Sequence, residues 1–299
     1  MEVIHQCKLC GSRALFTVKR YRISEKLSPY WQKIITLLHL PHVFTIRLVA
    51  CRNCGFLFYQ DMMTFAEMNR LYEDEARHTN PKAHQLKTGR LWEIERMIQF
   101  LAPRLPGNKI GRVLDIGSGD FMALERIRQL HPRATYEAVD PSYPQGSHKG
   151  VRVFRTMVEN WHPTRRYDLV MLVHVLEHIG HLAPFVQKIW QLVKNGGYLY
   201  VEVPFQVGPG LFLNRSANVQ HVNYFTPQSL SNLLRTHHMK VVEVEFDTTA
   251  YPHNGMPGMI RVLARKQSVG KTRLVRNLLP TLWYLGNPLY IARAKLLNS

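Results

Sequence analysis

The sequence predicts an α/β protein: a seven-stranded, mostly parallel sheet with helices on both faces, a cysteine module ahead of it and a basic tail behind. Three observations carry this. From residue 107 onward, short apolar runs alternate with segments of helical period. Two Cys-x-x-Cys pairs precede them. After Asp247 acidic residues cease while eight basic ones follow. Strand–helix alternation of this kind implies a largely parallel sheet covered on both faces.

The elements follow in order. Cys7-Lys8-Leu9-Cys10 and Cys51-Arg52-Asn53-Cys54 contain the only cysteines of the 299 residues. Each short turn presents two thiolates, which suits tetrahedral Zn²⁺, with Lys8, Arg13 and Arg52 near enough to favour the thiolate forms. Two disulfides or four unrelated thiols are the alternatives, and a cytosolic setting disfavours disulfides. The insert between the pairs has helical spacing at Trp31, Ile34, Ile35 and Leu38, within 30–40. It reads as a helical hairpin that contacts substrate or membrane, or as a lid packed on its own domain. His39 and His42 are stand-in ligands only if a cysteine is missing. Residues 43–50 predict a strand. Thr64 with Glu67 predicts a capping box opening a helix through about Glu75. A polar stretch over 77–90 reads as a linker or substrate-side loop. Leu91, Ile94, Met97, Ile98 and Leu101 predict a helix that ends at Pro103. Strands are then expected at 112–116, 135–140, 151–154, 168–173, 198–203, 241–246 and 260–264, and helices near 120–130, 181–194 and 227–236. The division is 1–60, cysteine module; 61–106, helical connector; 107–266, α/β domain; 267–299, basic tail.

Composition bounds function. Apolar residues make up 45% and charged residues 20%, so the chain can bury a real core. The formal net charge is +18. Between Lys8 and Arg52 nine bases face one acid, Glu25. Such ends attract anions: nucleic acid, an acidic membrane face or a phosphorylated acceptor. No stretch of 18 apolar residues predicts a membrane span. The opening residues are polar, so the expectation is a cytoplasmic protein able to touch the inner face of a membrane.

Val113–Asp120, V-L-D-I-G-S-G-D, is the most informative segment. An apolar strand enters a glycine turn that opens a helix, and the free helix N–H groups and absent Cβ atoms admit a ligand close to the backbone. Asp140 ends the next strand about twenty residues on, where a carboxylate can hold a ribose diol. The third glycine of the dinucleotide fingerprint is missing and Asp115 precedes the first, which disfavours a nicotinamide cofactor. L-D-I-G-S-G, A-V-D, Y-D-L-V-M-L-V-H-V-L-E-H (167–178) and L-V-K-N-G-G-Y-L-Y-V-E-V-P (192–204) occur in order, and the chain over 90–265 resembles the class I S-adenosylmethionine methyltransferases. The resemblance implies a Rossmann-like fold and this cofactor. It implies that Gly117 and Gly119 approach its methionine part, that Asp115 orients the loop or the ammonium, that Asp140 holds the ribose, and that Met157 and Val158 flank adenine.

Methyl transfer asks the protein to align a nucleophile and take its proton, and histidine suits that near neutral pH. His174, Glu177 and His178 follow the fourth strand, spaced to share one face of a helical turn. His221, in H-V-N-Y-F-T-P, follows the fifth. His174 and His178 also have structural readings, as a cofactor contact or a strand-end cap and as a partner of a backbone carbonyl. The layout is similar to that of methyltransferases of sugar and polysaccharide biosynthesis, in particular zinc-containing sugar C-methyltransferases. Those carry Tyr-x-Glu-His where this chain has Asn218-Val219-Gln220-His221, so oxygen is favoured over carbon as acceptor atom. A metal-dependent variant, similar to the E-x-x-E-H plus distant His sites of some ubiquinone and small-RNA methyltransferases, is the alternative, with His174 in place of the first glutamate. The tail reads as an amphipathic helix at a membrane interface, a nucleic-acid arm, or a face docked on its own domain. The expected function is methyl transfer to a hydroxyl of a sugar, glycan or glycolipid, with a small-molecule or glycan/glycolipid acceptor as the partner. RNA methylation, sugar C-methylation and a membrane-bound scaffold with a vestigial cofactor domain compete with it.

Overall fold

The computed structural model describes residues 1–78, 88–107, 109–207, 211, 217–247 and 258–267. The basic tail, and most of the polar stretch before the third helix, lie outside the described residues.

The N-terminal module begins with β1 (Glu2–Val3), the first cysteine pair and β2 (Leu15–Ser24), then α1 (Pro29–Leu38) and β3 (Val43–Cys51). The insert is therefore one helix carried on a β-hairpin, not a helical hairpin. Helix α1 starts because the Ser28 hydroxyl accepts from Trp31 N–H and Pro29 presets the first turn; it ends at His39, with φ 52°. Trp31, Ile34, Ile35 and Leu38 are all buried, so the helical period reports packing on the module itself. After the second cysteine pair come β4 (Leu57–Tyr59) and β5 (Asp61–Met62), the latter antiparallel to β1. Helix α2 (Phe65–His78) follows with the expected capping box: Thr64 N donates to Glu67 Oε2 at 2.7 Å and Glu67 N to Thr64 Oγ1 at 3.3 Å. Helix α3 (Thr88–Leu101) leads to the second half.

That half reads β6 (Arg112–Ile116), α4 (Met122–Leu130), β7 (Thr135–Val139), β8 (Gly146–His148), β9 (Val151–Phe154), β10 (Tyr167–Val173), α5 (Leu182–Leu192), β11 (Val193–Phe205), β12 (Asn223–Tyr224), α6 (Pro227–Thr236), β13 (Met239–Asp247) and β14 (Gly258–Lys266). The large sheet has the order β13-β14-β11-β10-β6-β7-β9-β8. All seven expected strands are present. The eighth, β8, is three exposed residues antiparallel to β9; such an edge has no apolar alternation to read. The five strands from β11 to β9 run parallel; β14 is antiparallel to both its neighbours, making the sheet mixed. The central strands β6 and β10 are buried almost throughout, because helices cover both faces.

The module does not stand apart. Its sheet runs β12-β4-β3-β2, so two residues from the second half complete it. One hydrophobic core joins Trp31, Phe56 and Tyr59 of the module to Leu172, Phe185 and Phe225 of the α/β half. A second core lies on the opposite face of the large sheet, around Phe100, Leu124 and Tyr136. No helix of the described residues is long and apolar enough to cross a membrane.

Candidate active site

The strand order reverses between β6 and β10, and the crevice outside the strand ends at such a point is where open α/β sheets bind ligands. Both informative motifs open there. After β6, Gly117 and Gly119 take φ of 71° and 54°. A Cβ on Gly117 would sit 2.9 Å from Val175 Cγ2, so the turn needs glycine for space as well as for dihedral. Gly119 N donates to Asp140 Oδ2 at 3.0 Å and Ser142 N to Asp140 Oδ1 at 2.8 Å. The Asp140 carboxyl is thereby fixed at the mouth of the crevice. Burial raises its pKa and outweighs those backbone donors. Asp115 lies at the core end of the loop and is buried. Met157 precedes a 3₁₀ turn, Val158–Asn160, and both Met157 and Val158 line a hollow of about 210 Å³ together with Gly117, Asp140, His174 and His178. The donor set fits an adenosyl group with a charged amino-acid tail: backbone approach at the glycines, a spare carboxylate for a diol, and an apolar slot beyond it.

After β10, His174 adopts φ 55° and its backbone N–H reaches Glu202 O at 3.0 Å. The expected helical turn is shorter than the spacing suggests: only Leu176–His178 form a 3₁₀ turn. His174 Nδ1 lies 3.3 Å from Glu177 Oε1, while its Nε2 is 3.8 Å from Glu93 Oε2 and 3.9 Å from Glu202 Oε1. Burial opposes the imidazolium, but the Glu177 and Glu93 contacts and the charge of Glu202 prevail and raise the pKa to about 10. Burial likewise opposes the Glu177 carboxylate, and the His174 hydrogen bond turns the balance to a lowered pKa. His174 is thus a cation among carboxylates rather than a base.

His178 and His221 are the opposite case. Their rings meet edge to face at 4.8 Å. His178 Nδ1 sits 3.1 Å from Gln220 O, and a carbonyl can only accept, so Nδ1 carries the proton. His221 Nδ1 sits 2.8 Å from Gln206 Oε1. Both arrangements leave Nε2 with a lone pair. Burial lowers both pKa values, that of His221 to about 4. One ligand atom from each of Glu177, His178 and His221 lies within 4.8 Å of the others, a set that also suits a divalent cation.

Sequence reasoning missed what holds this cluster. Val222 N donates to Glu177 O at 2.8 Å, and Asn223 Nδ2 donates to Leu176 O and Ile179 O at 2.8 and 2.7 Å. Asn223 Oδ1 accepts from Lys8 Nζ at 3.2 Å, so Lys8 turns towards the active-site loop. Arg52 lies over the Phe16 ring, and His42 pairs with Glu25 on the surface. The four sulfurs lie within 4.8 Å of one another; the Cys7–Cys54 and Cys10–Cys51 separations are both 3.6 Å, so no disulfide is formed. Gly11 and Gly55, with φ of 71° and 75°, close the two knuckles. Four close thiols that can share a tetrahedral ion fit Zn²⁺.

Residues 84–244 match the family model described as a methyltransferase domain, more than half of the chain. The chain belongs to the methyltransferase-domain family. A ubiquinone biosynthesis O-methyltransferase of Rhodopseudomonas palustris is 30% identical over 97 residues, covering 30% of this chain and 38% of that protein. One of Bradyrhizobium is 27% identical over 99 residues, with the same coverage. The chain thus spans little more than a third of these relatives' length. The Burkholderia thailandensis 1,6-didemethyltoxoflavin N1-methyltransferase, solved with its substrate and S-adenosylhomocysteine, aligns with a TM-score of 0.55 at 19% identity, over 75% of this chain and 96% of its own, a likeness of fold.

Proposed function

We propose that the protein is an S-adenosylmethionine-dependent O-methyltransferase acting on a small-molecule hydroxyl, with His221 as general base. The observation that carries it is the His221–His178 pair, each with an Nε2 lone pair, in which His178 lines a crevice whose other wall includes Gly117 and Asp140. Gly117 and Gly119 would admit the methionine part, Asp140 the ribose, and Met157 and Val158 the adenine, with Asp115 supporting the loop from below. Bound there, S-adenosylmethionine would supply a sulfonium methyl, to whose carbon the acceptor oxygen would bond in line as the carbon–sulfur bond breaks and the thioether sulfur keeps the pair. His221 Nε2 takes the hydroxyl proton, His178 flanks it, and His174 holds Glu177 in place as a positioning cation. The likeness to O-methyltransferases favours oxygen over carbon or nitrogen. Nothing in the comparisons favours the sugar, glycan or glycolipid acceptor expected from the layout.

A second reading has its own observation: Glu177, His178 and His221 fit a divalent cation. Such an ion would be held by those three side chains and would supply Lewis acidity to the acceptor hydroxyl. The cysteine quartet we assign to structural Zn²⁺, with residues 1–60 as its module.

Calorimetry with S-adenosylhomocysteine and transfer of a labelled methyl test this together. We expect cofactor binding in the wild type and in His221→Ala, with turnover in the variant reduced about 100-fold or more, the usual worth of a general base. Unchanged turnover in the variant removes His221 from the chemistry. Loss of turnover with EDTA while the protein stays folded, restored by Mg²⁺ or Mn²⁺, which a thiolate quartet does not favour, selects the metal-assisted form.

A further inference from the structure

The adenosyl crevice opens into a second, larger hollow of about 690 Å³ between α2, β5 and α5, and the two share Tyr72, Met157, Glu159, His178, Ile179 and Phe185. We propose that this hollow is the acceptor site and that it selects a hydroxyl-bearing molecule with an apolar body, not a sugar. The proposal rests on the methyltransferase reading and narrows it to a substrate class.

Three observations carry it. The first is continuity: His178 lines both hollows, and Val222, next to His221, lines the larger. A molecule seated there has one end at His178, whose ring meets that of His221, the proposed base, at 4.8 Å. The second is the wall. Met62, Met63 and Met68 come from the N-terminal module and the helix after it, and face Phe185 and Ile179 across the gap. These three methionines are buried, yet their side chains border open space. Thioethers are adaptable apolar surface that offers a hydroxyl almost nothing to bond with; polar side chains such as Asn69, Glu159, Asn160 and Lys188 also line the hollow, but most of its exposed lining is apolar, which favours an apolar body over a ring of hydroxyls. The third is the fit of backbone to wall. A Cβ on Gly180 would sit 2.7 Å from Met62 Cε, so glycine at this point leaves Met62 its place against the loop after His178. The volume is that of an ordinary small-ligand pocket. The polar cofactor is already provided for at the Asp140 end, which leaves the methionine wall for the acceptor.

The test uses the full-length protein loaded with S-adenosylhomocysteine and a series of 4-alkylphenols from ethyl to octyl, titrated by calorimetry. Affinity should rise about fourfold per added methylene, the ratio for a fully buried CH₂. Phe65 lines the same hollow and is 44% exposed, so Phe65→Ser is tolerated by the fold. Phe65→Ser and Met68→Gln should flatten the series to less than twofold per methylene while S-adenosylhomocysteine binds as before. A flat series in the wild type overturns the proposal. So does a slope that both variants keep, which would mean binding elsewhere, or a nucleoside diphosphate sugar that binds more tightly than octylphenol. If S-adenosylhomocysteine itself gives no heat, the methyltransferase reading fails instead, and a chain-length slope lost in the variants would still establish the hollow as an apolar site.

Discussion

His221 and His174 carry the same ring into opposite states. His174 is surrounded by Glu93, Glu177 and Glu202 and keeps its proton. His221 is half-buried next to another imidazole, and its partial removal from water disfavours its charge, bringing the pKa to about 4. The consequence for pH is direct. An ordinary histidine base loses half its active form at about pH 6.5. His221 keeps the neutral form down to about pH 4, so kcat/KM should stay level from pH 8 to about 5 and fall only below that. The same shift weakens the fold in acid. The unfolded chain takes this proton first, so stability falls as pH drops below about 6.5 towards 4. A rate profile that halves near pH 6.5 would mean that the proton is taken elsewhere.

The elements that matter most are the 3₁₀ turn after β10 and the segment that ends in β12. Asn223 is 1% exposed and bridges them, with two bonds to the turn and one from Lys8 of the first cysteine knuckle. Asn223→Ala leaves two carbonyls and an ammonium without that partner, a cost of about 2 kcal/mol. It should lower kcat well beyond the lost stability, with S-adenosylhomocysteine affinity retained, because Glu177 and His178 ride on the released turn. If kcat falls only in proportion to unfolded protein, Asn223 is merely structural. This contrast also marks what a linear sequence reveals. The glycine turn and Asp140 were legible because a strand, a turn and a helix start are local events with fixed spacing. The Thr64–Glu67 box was legible for the same reason. Asn223, Glu93, Glu202 and the methionine wall were not: each acquires its role only when elements from distant parts of the chain meet. The eighth strand and the single-helix insert were missed because three exposed residues have no pattern and helical spacing alone cannot count helices.

At the scale of the molecule, the cysteine module and the methyltransferase domain share one core and one sheet. They should melt as one unit. With Zn²⁺ in the quartet, a strong chelator should lower the temperature of a single calorimetric transition, since metal held only by the folded state is folding free energy. Two separate transitions, with the larger one unmoved by chelator, would show the module to be an independent appendage. The same shared sheet sets an order of events during synthesis. β12 contributes residues 223–224 to a sheet whose other strands lie between residues 15 and 59. On the ribosome the residues up to Cys54 emerge with both knuckles long before their last strand exists. The thiols therefore spend most of translation beside an unfinished edge, and early capture of an ion by the two knuckles is what would keep them from oxidation until the chain returns to close the sheet.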